Sequence, residues 1–510
     1  MSENKMCLIQ EVMDKIQESE TIVKRIDYSL ADAMEECNEP KKNWCFSYVS
    51  TLRALIKKKL DEATAYILEH VDEHLVKVPE TKGLGASKQM QAEPIPLKDN
   101  YINVQRDDLK VGIWINHENT GYKPKPIEFE GLSMNADIPK QYADDSCVMR
   151  AVWYSYDSVS YLAETPFVVL GGVYDISIFR FPELPKSVKE WKLRSVKDVD
   201  NMLVTKPYPP PDLSEVALAS IGALRMSYQV QSHVYIPSDE DLQLCWWDQA
   251  SSIWTDTDIS DVSIDRESKV VSFKTKKLAP MALLLPRISD YPYSYFFIRS
   301  VSDTEALIDL TGPRLSYKFR ITPGCLEFIN HNKIPELSHL DSVPQQPGVL
   351  LFNLSKCGVH LLPENRDCIA SNIKAKDQDS EELAILDISM NIRTFAFRST
   401  RWNKMVPPHM VCVRVRENLE YDEFFAEDEE QDWRTVSWYP NKCSFVNLKE
   451  SSDELDLSIP EGHETHFLMN LVMKDNCSTE AEERINEMKS FELSDTVKKT
   501  LRLLKILSFT

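Results

Sequence analysis

Two histidine pairs stand at or near the spacing with which a helix presents two imidazoles to one zinc ion. His70 and His74 lie four residues apart in a stretch of helical periodicity, the arrangement of the H-E-x-x-H metalloproteases. Val71 follows His70 where that chemistry needs a glutamate base, and Glu69, Asp72 and Glu73 mark the face as solvated. His463-Glu-Thr-His466 falls one residue short of the same spacing. Neither pair is read as a metal site. The chain also lacks a G-x-S-x-G elbow, a Walker loop and a kinase signature, and its 13 glycines leave little from which to build a phosphate cradle. No catalytic residue and no cofactor is expected, so the chain reads as a structural and interaction protein rather than an enzyme.

A second kind of chemistry lies in charge. The net charge is -21, and a field of that sign repels phosphate backbones and anionic lipid, which excludes nucleic acid and membrane as partners. An acidic partner has two places to dock. One is Lys186, Lys189, Lys192 and Arg194 around Trp191, where an apolar anchor stands among cations. The other is Lys57, Lys58 and Lys59, which as consecutive helical residues splay around the axis. The acidic run from 422 to 432 carries Phe424 and Phe425 and ends at Trp433. It is read as a solvated loop with one anchored edge in preference to a docking element.

The elements that must position these residues follow from periodicity. Leu8, Val12, Ile16, Val23, Ile26, Leu30 and Met34, and after Pro40 a second series of Trp44, Tyr48, Leu52, Leu55, Leu60, Ile67, Val71 and Leu75, predict two amphipathic helices over 1–78, a hairpin. They must pack on each other, on the β body or on a partner. A Gly, Ser, Lys, Gln and Pro-rich linker occupies 79–98. From 99 to 334 the pattern is that of strands, and the stretch His233 to Leu285 reads as the centre of an antiparallel β-sandwich, with at least one of Trp246, Trp247 and Trp254 filling its core. Gly171 and Gly172 interrupt an apolar strand from Phe167 to Phe179, which predicts a bulge. A further linker is expected at 335–347, then an α+β domain over 348–510: a strand at Gly348 to Leu354, a helix over 382–397, and closing helices at 464–474, 479–491 and 494–508. The fold class is thus α+β multidomain, in keeping with a chain of 510 residues.

The 11 cysteines include no C-x-x-C pair, which suits reduced thiols in the cytoplasm. The N-terminus has no signal-peptide core, and no segment reaches the roughly 18 apolar residues of a membrane span.

Several stretches together resemble one family, the axonemal dynein intermediate chains also called cancer susceptibility candidate proteins. They are Leu109-Lys-Val-Gly-Ile-Trp-Ile-Asn116, Lys125-Pro-Ile-Glu-Phe129, Ile138-Pro-Lys140, Ala151 to Asp157, Gly171-Gly-Val173, Leu184-Pro-Lys186 and Trp191-Lys-Leu-Arg194. The series continues through Trp247-Asp248, Trp254-Thr-Asp256, Ile259-Ser-Asp-Val262, Phe273-Lys-Thr275, Phe395-Ala-Phe-Arg-Ser-Thr-Arg-Trp-Asn403 and the close from Thr496 to Phe509. Order and spacing hold from about residue 100 onward. The chain departs from the family in opening almost directly on its helical pair, where members carry a longer charged coiled coil, and in placing Asp258 where the pattern has Gly. The resemblance implies a non-catalytic component of inner-arm dynein in the axoneme of cilia and flagella, part of the cytoskeleton, in contact with dynein heavy and intermediate chains and with tubulin. A cytoplasmic adaptor for dynein-arm assembly is the alternative.

Overall fold

The computed structural model describes residues 2–69, 101–116, 127–137, 146–181, 186–188, 191–193, 203–209, 222–237, 242–418, 433–474, 476–487 and 491–510. The expected linker at 79–98, the His70 and His74 pair and the acidic run at 422–432 lie outside these residues.

Helices α1 (Ser2–Glu35) and α2 (Glu39–Glu69) form the expected hairpin. Its turn is set by local chemistry. Cys37 takes a left-handed conformation at φ 52°, which lets the Asn38 N–H reach back to the Ala33 carbonyl at 2.8 Å. The Asn38 side chain then accepts from Lys41 N at 3.0 Å and caps α2, with Pro40 in the first turn. The hairpin packs on itself and on the β body: Val23, Ile26, Leu52 and Ile56 share one apolar cluster with Ile113, Ile115, Val148 and Val152. Arg150, buried in that interface, donates to Asp61 at 2.8 Å and Thr64 Oγ1 at 3.0 Å.

Under α1 lies a buried carboxyl. Burial first, then the Asp108 carboxylate, pushes Glu20 up to about 7, against the pull of Lys24 and Arg106. One of its oxygens has no partner. A raised carboxyl stabilises the folded state least where it must ionise. Its cost is absent below the unfolded value of 4.5, grows between 4.5 and about 7, and is full above that. Glu20→Gln is expected to raise stability by on the order of 1–2 kcal/mol at pH 8, after allowance for partial solvation, and by nothing near pH 4. Melting temperatures of both proteins across that range check it; a gain independent of pH would show that Glu20 is not buried as a carboxyl.

Two antiparallel sheets follow. The larger has seven strands in the order 101–105, 109–116, 147–154, 167–180, 280–286, 243–248 and 253–255; the smaller has 259–265, 270–275, 224–229, 134–137 and 127–129. Met149, Tyr174, Ile176 and Leu283 of the first meet Met134, Met226, Tyr228 and Phe273 of the second in one core, so the unit is a β-sandwich. The stretch 233–285 feeds strands to both sheets, as its alternation predicts. Trp246 fills the core between them and donates to the Thr257 carbonyl at 2.7 Å. Trp247 and Trp254 face the other way, as an edge-to-face cross-strand pair with centroids 5.4 Å apart. The expected bulge sits at Gly171 and Gly172, where the register against 280–286 shifts. Both have positive φ, and a Cβ on Gly172 would lie 2.0 Å from the Tyr154 carbonyl oxygen, so no other residue fits. Asp258 also sits in the left-handed region, at φ 65°. That is the physical reason a glycine suits the position, and why aspartate, which tolerates this conformation, can replace it.

The third unit is built on an eight-stranded antiparallel sheet in the order 325–329, 316–322, 305–311, 295–302, 395–398, 411–417, 434–439 and 442–446. Around it lie α3 (Pro347–Lys356), α4 (Asp367–Ala370), α5 (Gln378–Asn391), α6 (Met469–Met473), α7 (Thr479–Asn486) and α8 (Phe491–Leu504). Several expectations change here. The segment 335–347 is not a linker: Pro335–Leu340 is a 3-10 helix with Leu337 and Leu340 buried, and strands on either side of it pair directly, Phe297 with Arg398 and Ile298 with Phe397. One core runs from Tyr291 to Phe509, so the division falls near Arg287. The prolines that suggested a boundary begin helices instead, as Pro347 does at the first turn of α3. Gly348 to Leu354 is therefore helical, an apolar run too short for periodicity to tell a strand from a helix. The helix expected over 382–397 starts at Gln378, capped by the Asp377 side chain on Asp379 N at 3.0 Å, and stops at Asn391, leaving Phe395–Arg398 to the sheet. The three closing helices are found, each displaced or shortened.

Candidate functional site

The hairpin is fastened at its turn and along α2, and this decides which of its residues remain for a partner. At its turn, Glu35 is buried and accepts from Gly348 N at 2.7 Å and Gln346 Nε2 at 3.1 Å, placing a carboxylate on the N-terminus of α3. Helix backbones approach closely there, since a Cβ on Gly348 would lie 2.9 Å from that of Ala31. Further along, Arg53 of α2 donates to the Asp157 carbonyl at 2.7 Å and stacks on Tyr161, 3.8 Å from its centroid. The inner faces of both helices are thus committed to the two domains.

The outer face of α2 carries an apolar ridge. The apolar series that begins at Trp44, expected to pack on the other helix, on the β body or on a partner, divides into two. Cys45, Val49, Leu52, Ile56, Leu60 and Ile67 are buried, whereas Trp44 is 57 % exposed, Tyr48 45 % and Leu55 48 %. The buried series steps by three and four from Cys45, and the exposed one steps the same way from Trp44, one residue earlier. One residue turns an α-helix by about 100°, so the two series cannot share a face. The Trp44 and Tyr48 rings stack, with centroids 5.5 Å apart and planes at 16°.

Of the consecutive lysines, Lys57 and Lys58 are exposed, while Lys59 is tied to Glu62 at 2.5 Å. The cluster is therefore split, as its spacing predicts. Lys186 and Lys192 with Trp191 belong to a two-stranded antiparallel ribbon, in which Lys186 pairs with Leu193, Ser187 with Lys192 and Val188 with Trp191. Lys189 and Arg194 lie outside the described residues.

Among the described residues no group of three His, Cys, Asp or Glu side chains converges in a way that would hold a metal. His463 packs against Phe445 with centroids 5.1 Å apart, and His466 exchanges backbone hydrogen bonds with Cys443. Burial pushes the Cys245 and Cys357 thiols up to about 11 and those of Cys412 and Cys443 up to about 12, so at neutral pH they are protonated and poor nucleophiles. Lys376 is pulled down to about 8 by burial, yet its ammonium donates to the Asn403 carbonyl at 2.5 Å. No helix among the described residues is long and apolar enough to cross a membrane. Trp433, at the edge of the acidic run, is buried, with the Arg398 guanidinium 4.3 Å from its ring centroid.

No family model matches the chain. Among curated proteins it is similar to Dynein axonemal intermediate chain 7 of Danio rerio, 22 % identical over 354 residues, 68 % of this chain and 47 % of that one. It is 20 % identical over 464 residues to the protein of the same name in Macaca fascicularis, covering 90 % of this chain and 60 % of the relative. The Homo sapiens protein of that name is 24 % identical over 323 residues, 62 % of this chain and 44 % of its own length. The chain spans about half the length of the curated relatives it matches.

Proposed function

Since this chain is a member of the axonemal dynein intermediate chain family, we propose that it is a non-catalytic subunit of an axonemal dynein complex, one that joins dynein chains to each other and to the microtubule in cilia or flagella. The observation that carries this is the similarity itself, which extends over 90 % of the chain in one relative and so takes in the sandwich and the third unit together. The architecture supports it: a hairpin clamped across two domains is a rigid spacer, and its outward ridge on α2 has the aromatic composition that partners use. In this reading Trp44, Tyr48 and Leu55 meet a dynein chain, while tubulin, whose surface is acidic, meets the ribbon around Lys186, Trp191 and Lys192.

Fractionation of ciliated cells tests the placement. The chain is expected to sediment with axonemes and to leave them only at the salt that strips dynein arms. Retention in the cell body would overturn this in favour of an adaptor that assembles arms in the cytoplasm. For the tubulin contact, replacing Lys186, Lys189, Lys192 and Arg194 by Glu is expected to weaken microtubule pelleting and flatten its dependence on salt, because charges separated by more than about 8 Å are screened at physiological ionic strength and only a local basic face can overcome a net charge of -21. Unchanged pelleting with an unchanged salt slope would leave a dynein chain as the sole contact.

A further inference from the structure

Where the hairpin, the sandwich and the third unit meet, they enclose a cleft of about 290 Å³, near the lower end of the volumes that hold small molecules. Its walls are of two kinds. Phe46 and Val49 of α2, Phe167 of the sandwich and Phe352 of α3 make an apolar side. Lys42, Arg53 and Lys356 supply cations, and the His360 ring lies beside them.

The cleft's acidic groups are largely occupied with something else. The Asp157 carboxylate is consumed by the backbone N–H groups of Val159 and Ser160 and by the Ser160 hydroxyl, at 2.6–3.0 Å. Glu364 is shared between Arg287 at 3.2 Å and Arg366 at 2.9 Å. Burial raises the Asp27 carboxyl, against the pull of Lys356 and Arg53. Lys356 is exposed at the rim. Five cationic side chains, Lys42, Arg53, Arg287, Lys356 and Arg366, thus line the cleft against three carboxyls, in a chain whose net charge is -21.

His360 adds an independent observation. Its side chain is 5 % exposed and its backbone N–H is held by Asp290 at 2.7 Å. Nδ1 lies 2.9 Å from the Ser355 hydroxyl, while Nε2 is buried without a partner. Burial and the nearby Arg287, Arg314 and Arg366 keep the ring neutral. A neutral ring carries one proton, either on Nδ1 facing Ser355 or on Nε2, so Nε2 is a buried polar atom without a partner in either tautomer. Buried polar atoms are rarely left so, and this ring lines the cleft.

We propose that this cleft binds a small organic anion with an apolar body, its acid group drawn to Lys356 and Arg53 and its body laid against Phe46 and Phe352. This goes beyond a scaffold role. All three units line the cleft, so an occupant adds stability only to the assembled arrangement and couples ligand level to the rigidity of the hairpin.

The test uses 1-anilinonaphthalene-8-sulfonate as an apolar anion on the full chain, with the uncharged N-phenyl-1-naphthylamine as comparator. Saturable, single-site fluorescence enhancement by the sulfonate is expected, at least tenfold tighter than for the neutral compound. Lys356→Glu, at an exposed position, should weaken it at least tenfold with an unchanged melting temperature, and Lys276→Glu, at an exposed position outside the cleft, should leave it unaltered. Val49→Trp, which fills the apolar side, should abolish it; since that change can also disturb the hairpin, it counts only if circular dichroism matches the parent. Equal binding of the two probes, or equal binding by the parent and Lys356→Glu, would overturn the proposal.

Discussion

Asp290→Ala is expected to destabilise the chain by about 3–5 kcal/mol, the cost of removing one partner from a buried charge pair. Asp290 is fully buried. Arg314 grips it in a fork, Nε at 3.0 Å and Nη2 at 2.7 Å, the Tyr317 hydroxyl donates to the same carboxylate, and the His360 N–H completes the set at 2.7 Å. Alanine would leave a buried guanidinium, a phenol and an amide unsatisfied at once. Asp290→Asn keeps the shape and part of the hydrogen bonding and is expected to cost about half as much. The neighbouring network repeats the plan: Arg287 lies 3.1 Å from Asp367, which also accepts from the Tyr291 hydroxyl at 2.9 Å. Arg287 follows the last sandwich strand and Asp367 opens α4, so that pair crosses the seam between the sandwich and the third unit. Denaturant midpoints of the three proteins decide the matter; a loss under about 1 kcal/mol for the alanine variant would mean that water reaches the site.

Neither network was legible in the sequence, because Asp290 and His360 are 70 residues apart and meet only through the fold. What periodicity could show, it showed. Alternation placed the sandwich strands between 233 and 285, and the two glycines inside an apolar strand located the bulge, since local sterics suffice for both. Three kinds of error remained, each with a cause. The boundary at 335–347 rested on prolines, whose fixed φ suits the first turn of a helix as well as a linker. The run at 348–354 is apolar on every side because α3 is buried among α1, α8 and the sheet, which erases the period that would identify it. The third error concerned α2, where two apolar series lie one residue apart and a single stripe was drawn through both. A wheel at about 100° per residue separates them into a buried series and an exposed ridge.

That ridge carries the second large effect. Trp44→Ala combined with Tyr48→Ala is expected to lower affinity for the proposed dynein partner more than a hundredfold while leaving the fold within about 0.5 kcal/mol of the parent. The two expectations separate because of where the rings sit. More than half of Trp44 and nearly half of Tyr48 face solvent, so truncation removes little burial from the folded chain. An interface that covers them would bury two aromatic rings already held in one geometry by their mutual stacking, so little rotamer freedom remains to be lost on association. Aromatic anchors of this kind contribute about 2 kcal/mol or more each, and every 1.4 kcal/mol is tenfold. Lys58, exposed next to Leu55 on the same helix, adds a rim charge whose effect falls mainly on the association rate and its salt dependence. The measurement is retention of the tagged double variant in isolated axonemes through a salt series, beside the melting temperature of the purified chain. Full retention with an unaltered salt requirement would place the dynein contact elsewhere. Loss of retention with a fall in melting temperature would show instead that the pair supports the hairpin, and the exposed ridge would then carry no partner.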